Sequence, residues 1–154
     1  MQILRYSLFI AFSGLLLIGC AKSDEADSSD DMAANDNPYA AIAGDWMIEA
    51  YAADAEEGAE PLVVTLTKAT DSNEGWVTKF PHLDDPVAST NVFMNGDSVV
   101  TESASFTSAL REGEMVQGVT SYYHFMGDEV HGRFVATYEN GDVLRGKLVG
   151  ERVE

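Results

Sequence analysis

The chain has 154 residues, with 26 acidic against 9 basic side chains and a formal net charge of −17. Charge of that sign and size excludes nucleic-acid binding through phosphates and excludes a basic face for anionic lipid. A single cysteine in the whole sequence excludes an internal disulfide framework.

The first 20 residues read MQILRYSLFIAFSGLLLIGC. Arg5 supplies a positive start, and Tyr6–Ile18 is an apolar run broken only by Ser7, Ser13 and Gly14. Its 13 residues suit the centre of an export signal and fall short of the roughly 20 that a membrane-spanning helix needs. The run ends in Leu17-Ile18-Gly19-Cys20, which resembles the lipobox of bacterial lipoproteins, with Ile18 in place of the more usual Ala or Ser. That resemblance implies that residues 1–19 are a removable signal peptide. It also implies that Cys20 carries a thioether-linked diacylglycerol and an N-acyl chain, enough acyl chains for stable anchoring. By enteric-type sorting, Ala21 rather than Asp after the cysteine implies the outer membrane. An ordinary secretory signal with an incidental cysteine is the other reading.

Residues 20–38 then form the lipidated cysteine and a tether. Ala21–Asn37 contains Asp24, Glu25, Asp27, Asp30, Asp31 and Asp36, one lysine, and no aromatic or branched aliphatic residue. Such a stretch buries too little apolar area to offset its ordering entropy, so disorder is expected. As a coil it spans roughly 20–25 Å, enough to hold a domain off the headgroups. A spacer is the first reading, and a surface-export signal the second.

Residues 39–154 are expected to make one domain, with 20 acids against 7 bases and a net charge of −13. Helical periodicity is nearly absent. Short alternating runs rich in Val, Thr, Tyr and Phe predict eight strands, at 43–51, 61–69, 74–81, 88–94, 98–107, 115–125, 129–138 and 142–152. Asn95-Gly96-Asp97, Gly127-Asp128 and Asn140-Gly141-Asp142 mark tight hairpins. Successive hairpins predict an all-β, eight-stranded antiparallel up-and-down barrel, since closure removes exposed edges. An immunoglobulin-like sandwich is the competing architecture.

Alternation places Leu62, Val64 and Leu66 on the expected core face of strand two, opposite Val63, Thr65 and Thr67. Trp76, Thr78 and Phe80 share a face on strand three. Val130, Phe134, Ala136 and Tyr138 share one on strand seven, and Leu144 and Leu148 on strand eight. Gly44-Asp45-Trp46 opens the first strand and Arg152 closes the last. This resembles the calycin, lipocalin-like pattern, in which a Gly-x-Trp packs against an arginine of the final strand. The resemblance implies a barrel-closing pair, Trp46 with Arg152, in which guanidinium stacks on indole. A C-terminal helix and a disulfide, both features of that family, have no counterpart here.

In such a barrel, loops 52–60, 82–87, 108–114 and 139–141 share one end, where Asp54, Glu56, Glu57, Glu60, Asp84, Asp85, Glu112, Glu114 and Glu139 create negative potential. General solubilisation accounts for the same charge. Trp46, Trp76, Phe80, Phe106, Tyr123 and Phe134 are the expected interior, either lining a ligand cavity or filling the barrel. His124 and His131 are expected opposite one another, a surface pair or two metal ligands without a firm third; no metal is assigned. His82 with Asp84 or Asp85 is the nearest thing to acid–base machinery.

No Gly-x-Ser-x-Gly, HExxH or phosphate-cradling loop is present. The expectation is therefore a non-catalytic binding module without a cofactor, anchored in the envelope (periplasmic or surface face) through Cys20. It would be monomeric and hold a small apolar or cationic ligand. The alternative is a filled barrel whose acidic loops bind a basic envelope protein or inhibit a basic hydrolase.

Overall fold

The computed structural model describes residues 37–153. The expected signal peptide, Cys20 and nearly all of the tether lie outside the described residues. The remainder is all-β, with no helix among the described residues.

The strands are β1 (Gly44–Ala52), β2 (Val63–Ala69), β3 (Val77–Lys79), β4 (Val87–Asn95), β5 (Ser98–Ser103), β6 (Phe106–Thr107), β7 (Met115–Met126), β8 (Glu129–Tyr138) and β9 (Val143–Val153). They form one antiparallel sheet in the order β5-β4-β3-β2-β1-β9-β8-β7-β6, and β5 also pairs with β7. β5 and β6 run along successive stretches of β7, so they count as one interrupted strand and eight strands close the ring. At the interruption the Ser103 hydroxyl accepts the Val119 N–H at 2.9 Å, replacing a ladder bond. Closure rules out the sandwich. The seam joins the first and last of these strands, with Asp45 opposite Val153 and Ala52 opposite Gly146.

The strands expected from alternation are present, with two departures. β3 holds only three ladder residues because Gly75 turns the chain at φ +78° immediately before it. On β2 the faces are reversed: Thr67 and Ala69 are buried, whereas Leu66 is 41% exposed beside Met47 on the outer wall. Thr65 and Thr67 share one parity and Val64 and Leu66 the other, so the pattern reads as threonine outward, although threonine suits either face of a sheet. The interior accepts threonine there because hydroxyl partners wait inside.

The wall around the seam packs large side chains against glycines. On β8 and β9, Val130 faces Gly150, Leu148 faces Gly132, and Phe134 faces Gly146. A Cβ on Gly146 would meet the Tyr51 carbonyl oxygen and the Phe134 ring, and one on Gly150 the Met47 carbonyl oxygen and Ile48. These glycines let the sheet curve sharply enough to close while the neighbouring side chain fills the space.

At one end the barrel is sealed. Trp46 and Trp76 are each 1% exposed, and Phe125 bridges them with ring centroids at 4.7 and 6.5 Å. Each indole N–H has a backbone acceptor: Ile42 O for Trp46 at 2.9 Å, Ser72 O for Trp76 at 2.8 Å. Arg152 sits opposite Trp46 in register, with its guanidinium carbon 4.4 Å from the indole centroid. Its Nη1 and Nη2 donate to Ala43 O (2.6 Å) and Ala41 O (2.9 Å), and its Nε to Asp128 (3.1 Å). The turn through Tyr39–Ala43 is thereby clamped across the barrel floor. Gly44 sits at φ +145°, and a Cβ there would come within 2.7 Å of Arg152 Nη1. The Gly-x-Trp spacing thus serves both the backbone conformation and the arginine's path.

Candidate functional site

The opposite end is open. Connections after β1, β3, β6 and β8 meet there, and between them a cavity of about 100 Å³ runs down into the barrel. Its apolar wall comes from Ile48, Leu62, Phe80, Phe106, Val116, Val119, Phe134, Leu144 and Leu148. Four of the six residues expected to line the interior therefore do so: Phe80, Phe106, Tyr123 and Phe134. Trp46 and Trp76 also point inward but lie below it, in the sealed end.

Hydroxyls form the second component, which sequence reasoning passed over. Thr65, Thr78, Ser89, Thr101, Ser103 and Ser121 line the cavity along with the Tyr123 and Tyr138 side chains. Thr67 and Thr78 are linked through their hydroxyls at 3.1 Å, and Ser108 with the Tyr138 hydroxyl at 3.4 Å. Burial pushes the Tyr123 phenol above the usual tyrosine range, while the Ser121, Thr67 and Thr101 hydroxyls pull the other way. Among the described residues no buried side-chain nitrogen or oxygen lacks a partner. A signal existed in the sequence: Ser or Thr recurs at the inward parity of β2, β3, β5 and β7. It reads as a polar face until the ring is known to close.

No Asp, Glu, Lys or Arg lines the cavity. The carboxylates of the connecting loops stand at its rim, where water screens them. Arg111 also stands there, its guanidinium carbon 4.2 Å from the Tyr138 ring centroid and its Nη1 donating to Asp142 at 2.7 Å and to Glu114 at 3.4 Å. The Arg111 guanidinium holds the Asp142 carboxyl below the usual carboxylate range.

His82 reaches the mouth, where its Nε2 donates to Thr107 O at 2.9 Å and its ring meets Phe80 edge-on. Phe80 in turn stacks on Phe106 with centroids 4.6 Å apart. Among the described residues Asp84 and Asp85 make no ion pair with His82. The structure does not assemble an acid–base pair from them.

His124 and His131 are direct cross-strand partners on the outer wall, as expected from the Gly127-Asp128 turn. Each leans toward a different carboxylate: His124 Nδ1 lies 3.5 Å from Asp97, His131 Nε2 4.0 Å from Glu129. Among the described residues no group of three or more His, Cys, Asp or Glu side chains is placed to hold a metal ion.

Such a lining offers apolar contact and a few hydroxyl hydrogen bonds, and no charge, to whatever enters it. No protein-family model, curated protein or solved structure matches the chain. The eight-stranded antiparallel barrel itself fits a lipocalin-like fold.

Proposed function

We propose that the protein is a non-catalytic binding module of the bacterial envelope that carries a small, uncharged ligand in its barrel. The observation that carries this reading is the cavity at the long-loop end, walled by apolar side chains and hydroxyls and free of charged lining groups. Burying a cation there would leave it without a counter-ion, so the neutral class is favoured over the cationic one. Placement in the envelope rests on the lipobox resemblance at Leu17–Cys20, with Cys20 as the lipidated anchor.

Native mass spectrometry of the full chain, extracted from membranes in mild detergent, tests the ligand. The expected result is a stoichiometric extra mass that disappears when Ala136→Leu fills the cavity. A bare protein mass, both as extracted and after incubation with envelope lipids, overturns the reading. The anchor is tested separately: Cys20→Ser should move the chain out of the membrane fraction and remove the acylated N-terminal peptide.

A second reading draws on the cavity's size. At about 100 Å³ it falls below the several hundred of ordinary ligand pockets. The small volume supports a filled barrel whose acidic rim meets a basic envelope protein. Salt-dependent capture of such a partner, lost on neutralising Glu56, Glu57 and Glu60, is the outcome specific to that reading.

A further inference from the structure

The outer wall of β7, β8, β9 and β1 carries an ordered pattern that neither the cavity nor the anchor uses. Outward-facing residues align in rows across the strands. One row reads Met126, Glu129, Glu151, Met47. The row two positions along every strand reads His124, His131, Val149, Glu49, and the next reads Tyr122, Arg133, Lys147, Tyr51. The first row is apolar–acid–acid–apolar and the third is aromatic–base–base–aromatic.

Like charges directly opposite in a sheet are destabilising, and this wall holds two such pairs of opposite sign. Within one chain they do not cancel. Four residues along a strand separate them by about 13 Å, beyond the screening length at physiological salt. Among the described residues Glu151, Arg133 and Lys147 form no ion pair. Arg133 rests on the Tyr122 ring instead, at 4.6 Å. The apolar members are also open to water: Met47 is 41% exposed, Val149 39% and Met126 49%. A shallow groove here is lined by Met47, Val149 and Gly150 together with His131 and the carboxylates of Glu49, Glu129 and Glu151.

We infer that this wall is an isologous interface with a second copy of the chain, in place of the monomer expected from the sequence. A two-fold axis lying in the interface and running across the strands, along the His131–Val149 row, carries the acidic row of each copy onto the basic row of the other. Glu129 then meets Arg133 of the partner subunit, and Glu151 meets Lys147 of the partner subunit. Val149 packs on its own counterpart, and β1 and β7 curve away on either side of the closed ring. An axis along the strands would set Glu129 against Glu151, so charge selects the orientation as well as the partner.

Zero-length carbodiimide coupling of the full chain in detergent, with sedimentation under the same conditions, tests this. The expected product is a covalent dimer whose linked peptide joins Glu151 of one copy to Lys147 of the other. Lys147→Glu should lower the dimer yield roughly tenfold or more, and the exchanged pair Glu151→Lys with Lys147→Glu should restore it. A chain that sediments as a monomer at micromolar concentration overturns the proposal. So does a dimer indifferent to Lys147→Glu, or one not restored by the exchange.

Discussion

The two ends of the barrel solve the same problem, ending a closed sheet, by different means. At the sealed end two tryptophans, Phe125 and Arg152 fill the space, and most of their polar atoms are spent on backbone: indole N–H on Ile42 O and Ser72 O, Arg152 Nη1 and Nη2 on Ala43 O and Ala41 O, with Nε alone going to the Asp128 side chain. At the open end the aromatics are smaller and stand at the wall, and hydroxyls replace indoles. Fully buried aromatics fill the end where β1 begins and β9 finishes, while space is left where the longest loops converge. Ligand sites are commonly built this way, from loops carried on a packed scaffold.

Substitutions at the two ends should therefore differ in kind. The largest effect is expected for Trp46→Ala, which removes a fully buried side chain; a loss of about 3–5 kcal/mol is expected. The matching change at the open end, Phe106→Ala, should cost about 1–2 kcal/mol, because that ring is only half-buried and borders space already empty. Urea unfolding of both variants decides the point, and equal losses would break the contrast.

Gly146→Val comes next, since its side chain must displace the Tyr51 carbonyl or the Phe134 ring; overpacking of this kind costs about 1–3 kcal/mol. Thermal denaturation should show it, with Val149→Ala on the outer wall as the near-neutral comparison. Arg152→Ala should cost about 1–2 kcal/mol through the two carbonyls it leaves unpaired. Arg152→Lys should recover less than half of that, because one ammonium cannot span both carbonyls and stack on the indole.

Two pH effects sharpen the comparison further. The Tyr123 phenol has a raised pKa in the folded state, so its contribution is complete below the ordinary tyrosine value of 10.0. That contribution is lost as pH rises toward the folded value. Alkaline unfolding should start later in Tyr123→Phe than in the parent chain. The smallest effect belongs to Asp142, whose lowered pKa gives a contribution present above the unfolded carboxylate value and lost as pH falls through the folded one. The group is water-exposed, so acid titration monitored with and without 1 M salt should differ only slightly between parent and Asp142→Asn.

Much of this was legible in the sequence. Hairpin signals at Gly96 and Gly127 gave the meander, and the Gly127-Asp128 turn placed His124 opposite His131 and Phe125 opposite Val130. Trp46 opposite Arg152 followed from the resemblance. The face of β2 did not, because Thr65 and Thr67 share one parity and Leu66 the other, and only closure shows that the threonine side is the interior, where hydroxyls meet. The cavity was also beyond reach. Its volume is the residue of how Phe80, Phe106 and Phe134 tilt, and Ser or Thr at an inward position reads the same whether it faces a void, a water or a neighbour.

The seam between β1 and β9 has a consequence for how the chain reaches its native state. Asp45 pairs with Val153, so the ring cannot close until β9 is made. Until then β1 presents a bare strand edge to whatever lies nearby, and contacts this distant in sequence form slowly. Loss of β9 would leave a curled sheet with one open edge each on β1 and β8, primed to add strands from other chains. The eleven residues of β9 thus act as the protein's guard against aggregation.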